Sequence, residues 1–345
     1  MNATDANDAA LLGVLQESVP FTEHPFADLG KRCGLTEDET LSRVKALKEA
    51  KVIRQISAIF DTRSLGYASS LVAARIAPEK LDAAVAVINS HPGVSHNYLR
   101  NHEFNLWYTI AVPPISKLGL DGTVDLLHRL SGAETTRLLP TLRLFKIGVR
   151  FDVEGDARPD DQSKPAYTEA SRQEAGPLTA KAIEFVRVMQ RDVQLVPSPF
   201  VAVAAELGIS FEEAAAMHER FLATGRMRRF AAVLHHRKAG FGANAMGVWA
   251  GPQDDPEGLK KLGETMAGFR AVSHAYQRPS YPDWPYNLFT MVHGKSEEEC
   301  EQTLQAISDA TGITDRHALY STKEFKKVRV RYFTDEEVKW EQAHA

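Results

Sequence analysis

The stretch VSHNYLRNHEFNLWYT, residues 94–109, has a distant twin in the same chain, VSHAYQRPSYPDWPYNLFTMVHG at residues 272–294. In a strand, side chains two apart share a face, so His96, Tyr98 and Arg100 are expected to project together, with His102 beyond them. His274, Tyr276 and Arg278 repeat the row. Outward from these hairpins the likeness holds register. At an offset of 174 residues, Pro25-Phe26 falls on Pro199-Phe200, Gly34-Leu35 on Gly208-Ile209, Arg63 on Arg237, and Gly66-Tyr67 on Gly240-Phe241. The offset grows to 178 at Ser95-His96 against Ser273-His274, and to 182 at Asn105-Leu106 against Asn287-Leu288. The second step is an insertion around Pro282-Asp283-Trp284-Pro285. The chain is therefore a tandem duplication.

Each half reads as helices followed by alternating strands and helices. Leu41, Val44 and Leu47 recur at helical spacing within residues 35–49, behind a Thr36 that can cap with Glu39. With the apolar segment PFADLGKRCG before it, this predicts a helix-turn-helix; Ser210 before Phe211-Glu212-Glu213 predicts another. A β-branched run at 52–60, a strand at 67–76, a helix at 81–89, the hairpin, a helix at 124–130 and a strand at 142–151 follow. From the strand at 67–76 onward the pattern is βαββαβ, a ferredoxin-like domain. The fold class is α+β. The expected organisation is a helix-turn-helix over 1–60, a ferredoxin-like domain over 61–154, a polar Pro- and Gly-rich linker over 155–177, a second helix-turn-helix over 178–234 and a second ferredoxin-like domain over 235–345.

Composition excludes several classes. With 345 residues, 43% of them hydrophobic, the chain can build at least two ordinary cores. No uninterrupted apolar window of about 18 residues exists, and the amino terminus lacks the basic region and apolar core of a signal peptide, so a cytoplasmic location is expected. Cys33 and Cys300 stand alone, which argues against a disulfide framework or a zinc site. The net charge of −4 gives no support for a nucleic-acid coat. Both recognition-helix starts are acidic, Thr36-Glu37-Asp38-Glu39 and Ser210-Phe211-Glu212-Glu213, and would repel phosphate. The helix-turn-helix modules are therefore expected to be structural or dimer-forming, and DNA is not expected as a partner.

The paired row suits a different ligand. Imidazole exchanges protons near neutral pH, a phenol donates a directional hydrogen bond, and a guanidinium grips a carboxylate with two N–H groups. Together they fit carboxylates carried on an aromatic or macrocyclic body. Read blandly, a polar alternation is only the solvated side of a hairpin. Recurrence of the same residue types at the same spacing, while the surrounding sequence has drifted, favours a site. Trp107, Trp284 and Tyr286 could wall a flat ligand, although core packing is their commoner role, and YPDWPY is long enough to form a lid. Arg54, Arg63, Arg228, Arg229 and Arg237 are further carboxylate-binding candidates. His235 and His236 point to opposite faces of a strand, so at most one can serve as a ligand to iron.

The acidic helix-turn-helix with its run Leu41-Ser42-Arg43-Val44-Lys45-Ala46-Leu47, followed by βαββαβ, resembles the Lrp/AsnC regulators. The two hairpins resemble, more specifically, the signature hairpins of the siroheme decarboxylases, enzymes built on that regulator fold. The resemblance covers the chain outside the linker and termini, and implies the fused form of what are usually two homologous subunits. It implies removal of two acetate carboxyl groups from siroheme to give 12,18-didecarboxysiroheme, on the route to heme d1 or to heme. His96, His274, Tyr98 and Tyr276 are then the expected catalytic residues, and the arginines and aromatics above, with Arg100, Arg278 and His102, the expected substrate-binding set. No redox cofactor is implied, since iron belongs to the tetrapyrrole substrate. The resemblance also implies an internal pseudo-dimer of the halves, able to dimerise again. Asn97 becomes Ala275 and Leu99 becomes Gln277, so the two pockets are not expected to be equivalent. The competing readings are a ligand-sensing transcription regulator, discriminated by salt-dependent operator binding, and a non-catalytic tetrapyrrole carrier.

Overall fold

In the computed structural model, residues 6–147, 176–234 and 243–345 are described. All of the expected linker except Gly176 and Pro177 lies outside them, as do His235, His236 and Arg237. Two compact units form, and each draws on both halves of the sequence. One comprises Met1–Tyr67, Arg172–Lys238 and Arg331–Asp335; the other comprises Ala68–Ser171, Ala239–Val330 and Glu336–Ala345.

The first unit is helical. In the first half α1 (Ala6–Glu17), α2 (Pro25–Cys33) and α3 (Glu37–Glu49) lead into β1 (Ile53–Phe60). Capping chemistry sets the helix ends. Pro25 opens α2, and Gly34 closes it at φ 71°, a left-handed backbone in which a Cβ would be strained. Gly208, at φ 63°, closes the matching helix of the second half, which explains why that landmark recurs in the sequence. At α3 the Thr36 hydroxyl accepts the Glu39 N–H at 3.3 Å while the Glu39 carboxylate accepts the Thr36 N–H at 2.8 Å.

Within the sheet unit, the first half supplies β2 (Ala68–Arg75), α4 (Leu81–Ser90), β3 (Val94–Arg100), β4 (Leu106–Val112), α5 (Gly119–Ser131), β5 (Thr135–Leu139) and β6 (Arg143–Ile147). The second half returns to the helical unit with α6 (Ala180–Met189), α7 (Pro199–Leu207), α8 (Phe211–Ala223) and β7 (Met227–Leu234). Ser210 and Glu213 repeat the capping box at 3.2 and 2.9 Å. Strands β1 and β7 pair antiparallel, from Ile53 opposite Leu234 to Phe60 opposite Met227. Phe21 of the first half stacks on Phe200 of the second at 4.2 Å between ring centroids. The helical unit is thus an internal pseudo-dimer.

The second half completes the sheet unit with β8 (Ala243–Trp249), α9 (Pro256–Gly268), β9 (Val272–Gln277), β10 (Leu288–Gly294), α10 (Glu297–Thr311), β11 (Arg316–Lys327) and a terminal α11 (Glu336–His344). The strand order is β5-β2-β4-β3-β11-β8-β10-β9-β6. β11 crosses between halves: Arg316 to Tyr320 pair with β8, and Ser321 to Lys327 pair with β3. In the first half the same path is divided, because Pro140 cannot donate to a ladder; β5 pairs with β2 and β6 with β9. The two ends of the strand order are joined by only residues 140–142, so the sheet closes on itself. The sequence reading placed one strand at 142–151 and missed β5; of that segment, only residues through 147 are described.

Among the described residues of the sheet unit, the buried side chains gather into apolar clusters. Helices α4 and α5 cover the first half of the sheet over Val72, Ile88, Leu106, Tyr108 and Leu127, and α9 and α10 cover the second over Trp249, Leu288, Leu304 and Ile307. The third cluster draws on both halves, with Phe104, Trp107, Leu139, Val248, Trp284 and Phe289 among its members.

Candidate active site

Both hairpins deliver the expected rows, by a device that the alternation rule does not contain. In each, the residue before the histidine is an inserted bulge: the ladder passes from Val94 to His96 in the first half and from Val272 to His274 in the second. A bulge re-aims the side chain beside it. Here it brings the Ser95 hydroxyl to within 3.0 Å of His96 Nδ1, and the Ser273 hydroxyl to within 2.8 Å of His274 Nδ1. In the first row Ser95 also meets the Thr109 hydroxyl at 2.8 Å; in the second, Ser273 meets His293 Nε2 at 2.7 Å. Ser95, Ser273, Thr109 and His293 were not among the sequence candidates. The Ser-His doublet recurs in both halves and was the available signal.

Beyond each histidine the row continues as predicted. His96 and Tyr98 have ring centroids 6.1 Å apart, as do His274 and Tyr276. The guanidinium of Arg100 lies 5.8 Å from the Tyr98 ring centroid, and that of Arg278 lies 4.8 Å from Tyr276. The histidines and tyrosines are half-buried. Burial and the neighbouring Glu324 push the Tyr98 phenol up to about 12, so it acts as a hydrogen-bond donor and not as an acid near neutrality.

The arginines are engaged across the halves. Arg100 is only 7% exposed, and its Nη1 donates to the Leu319 carbonyl on β11 at 2.7 Å. Burial brings its pKa down to about 10, leaving it cationic at neutrality. Arg278 Nη1 donates to the Leu139 carbonyl on β5. Each guanidinium thus ties its hairpin to the last strand region of the other half. That corrects the expectation that Arg100 is simply an open carboxylate clamp.

The aromatic wall is likewise corrected. Trp107 and Trp284 are 1% exposed and Tyr286 8%, all within the shared apolar cluster. Trp284 packs edge-on against Phe104, Trp107 and Tyr286 at 5.5, 5.2 and 5.0 Å. The YPDWPY insertion is strapped down: Asp283 accepts Arg137 Nε and Nη2 at 2.8 Å each, and the Tyr281 hydroxyl donates to the Leu138 carbonyl at 2.6 Å. Such anchoring does not suit a lid. His102 lies 5.4 Å from both Trp284 and His317, and burial, then the His317 charge, lower its pKa.

Of the other arginines, Arg54, Arg63, Arg228 and Arg229 belong to the helical unit, and Arg237 lies outside the described residues. Arg228 Nη2 donates to buried Asp61 at 2.9 Å, which gives it a structural partner. A cavity of about 440 Å³ between α5 and β5 is lined by Asp121, Asp125, His128, Arg137 and Tyr281 among others, and none of the predicted site residues lines it. Among the described residues, no cluster of three or more His, Cys, Asp or Glu could hold a metal ion.

Comparison with known proteins gives this geometry its family. Residues 64–146 and 238–326 match the AsnC-like ligand binding domain, and residues 8–54 match the siroheme decarboxylase NirDL-like HTH domain. The chain is 39% identical over 331 residues to the siroheme decarboxylase of Hydrogenobacter thermophilus, covering 96% of both proteins. It is 45% identical over 149 residues to the siroheme decarboxylase beta subunit of Methanosarcina barkeri, which spans 43% of this chain and 96% of that subunit. The crystal structure of the siroheme decarboxylase NirDL in co-complex with an iron-uroporphyrin III analogue superposes with a TM-score of 0.76, at 33% identity and 97% coverage of each chain. With this likeness over nearly its whole length, the chain belongs to the siroheme decarboxylase family, in the form that carries both repeats on one polypeptide.

Proposed function

We propose that the protein removes the two acetate carboxyl groups of siroheme, giving 12,18-didecarboxysiroheme, with the His-Tyr-Arg rows as its reactive surface. The observation that carries this assignment is the repeated, bulge-presented Ser-His-x-Tyr-x-Arg row in a member of this family. The related NirDL structure was obtained with an iron-uroporphyrin III analogue, a ligand of the same tetrapyrrole class.

The chemistry follows from the side chains. Heterolysis of the bond between the acetate methylene and its carboxyl carbon releases CO2 and leaves the electron pair on the methylene, where the conjugated ring delocalises it. A proton must then reach that carbon to make the methyl group. Ser95 and Ser273 engage Nδ1 of His96 and His274, so proton delivery falls to Nε2 of one of these rings. Tyr98 and Tyr276 donate to carboxylate oxygens, while neighbouring apolar surface excludes water. The reaction moves no electrons between oxidation states overall, so iron enters as part of the substrate and no separate cofactor is required.

Acidic first turns on α3 and α8 support the inference that the helix-turn-helix modules do not read DNA. Pairing of β1 with β7, and of each last strand region with the other half, supports an internal pseudo-dimer; a cytoplasmic location and dimerisation of whole chains complete the proposal.

Anaerobic incubation with siroheme followed by mass analysis of the pigment tests this function. Stepwise loss of two CO2 is expected. A pigment that binds but keeps its mass would replace the enzyme with a carrier.

A further inference from the structure

The serine beside each reactive histidine leads on to a different second partner. In the first row Ser95 lies 3.0 Å from His96 Nδ1 and 2.8 Å from the Thr109 hydroxyl, which is itself 3.4 Å from His96 Nδ1. Two hydroxyls and one imidazole nitrogen close a small ring. In the second row Met291 stands where Thr109 does and His293 stands where Ala111 does, at the offset of 182 that relates these strands. Ser273 Oγ thus lies between two imidazoles, 2.8 Å from His274 Nδ1 and 2.7 Å from His293 Nε2, with the Met291 carbonyl at 3.3 Å. Ser273 is buried and both rings are half-buried. A serine hydroxyl has one proton to give and two lone pairs with which to receive. It cannot donate to both nitrogens, so at least one of them carries a proton of its own. The protonation of the two rings is thereby coupled. For a neutral His274 to present its proton at Nε2, its Nδ1 accepts the Ser273 O–H, and His293 Nε2 must then be protonated and donate to Ser273. The first row imposes no such condition, because Thr109 supplies a second hydroxyl proton.

We infer that His293 is a positioning residue of the second row: through Ser273 it holds the proton of His274 on Nε2 and replaces that proton as it is delivered. This rests on the decarboxylase assignment above. Cleavage releases CO2 and leaves the electron pair of the broken carbon–carbon bond on the methylene carbon. The methylene takes the Nε2 proton of His274, Nδ1 of the same ring takes the Ser273 proton, and Ser273 takes the Nε2 proton of an imidazolium His293. The products are a methyl group and two neutral imidazoles, so the cation on His293 and the anion on the substrate cancel and no imidazolate forms. Uptake of a proton from solvent at His274 Nε2 then runs the chain backwards and restores the starting state. The placement aids the reaction in two ways. A cation on His274 itself would pair with the carboxylate and stabilise the ground state, whereas the same charge held one hydroxyl away does so less. Prompt protonation also traps the carbanion before CO2 returns to it.

Three variants, His293→Gln, Ser273→Ala and Ser273→Thr, test the relay with two readouts: anaerobic single-turnover conversion of siroheme, followed by pigment mass, and visible-absorbance titration with iron-uroporphyrin III. Glutamine keeps an N–H donor for Ser273 but cannot pass its proton on, so His293→Gln separates proton supply from the hydrogen bond alone. His293→Gln should bind the analogue as wild type does and slow conversion by about 10²-fold. Ser273→Ala should show a similar loss, and Ser273→Thr, which keeps a hydroxyl, should recover most of it. The conversion rate plotted against the fraction of D2O should be bowed for wild type, with more than one proton in flight, and straight for His293→Gln. A merely structural role would not change that curvature. Conversion at the wild-type rate in His293→Gln overturns the relay. Should His293→Gln lose analogue binding as well, the serine pair decides, and equal rates for Ser273→Ala and Ser273→Thr overturn it. A wild-type protein that binds the analogue but leaves the mass of siroheme unchanged removes the decarboxylase assignment and the relay together, whereas wild-type conversion that His293→Gln does not slow removes the relay alone.

Discussion

Replacing Trp284 by Ala tests what fixes the YPDWPY insertion. Trp284 is 1% exposed and packs against Phe104, Trp107 and Tyr286, residues contributed by both halves. Truncating a fully buried tryptophan removes its transfer free energy and leaves a cavity, together about 3–5 kcal/mol. The competing anchor is the Asp283–Arg137 ion pair. Its geometry is bidentate at 2.8 Å, but the side chains are 38% and 29% exposed, so solvent screening limits it to about 0.2–1 kcal/mol. Trp284→Ala should therefore destabilise the sheet unit several times more than Asp283→Asn. All four tryptophans lie in that unit, so urea unfolding followed by the fluorescence of Trp107, Trp249 and Trp340 reports it selectively. A loss below about 1 kcal/mol for Trp284→Ala, or a larger loss for Asp283→Asn, would refute the conclusion that apolar packing holds the insertion.

Lys146 makes a pH-dependent prediction. Burial lowers its ammonium pKa from 10.5 to about 8, so between those values the unfolded chain binds a proton that the folded chain has released. Stability of the sheet unit should rise with pH across that window, and Lys146→Met should remove the rise in melts at pH 8 and pH 10. In the helical unit, Asp61 is 2% exposed and accepts from both Arg228 and the Ser64 N–H. Arg228→Met should therefore cost about 1–3 kcal/mol in the denaturation of that unit, and a neutral outcome would return Arg228 to the ligand candidates. Thr36→Ala and Ser210→Ala should each cost about 1 kcal/mol, seen by circular dichroism melts, because each leaves an N-terminal backbone N–H without its side-chain acceptor.

The sequence by itself determined the duplication, the helix caps, the βαββαβ order and the composition of the two rows. These are local properties: a capping box spans three residues, a left-handed glycine is one backbone angle, and side chains two apart share a face. What surrounds the rows was decided by tertiary structure. The bulges at Ser95 and Ser273 depend on pairing with a neighbouring strand, so a period-2 reading finds His96 and His274 but not their hydroxyl partners. Lys327 lies opposite His96 in the strand ladder, 231 positions away in sequence, because β11 crosses from one half to the other; no local pattern encodes that crossing. Trp284, read as a possible ligand wall, is core because the closed sheet brings it onto Phe104 and Trp107 of the other half. The terminal α11 was also missed. Its docking depends on long-range partners, with Glu341 accepting the Lys117 and Leu118 N–H groups ahead of α5 and Trp340 Nε1 donating to Ser90 at 2.9 Å. The identities of reactive side chains are written in short words of sequence, whereas the field each one feels comes from strands that only folding brings alongside.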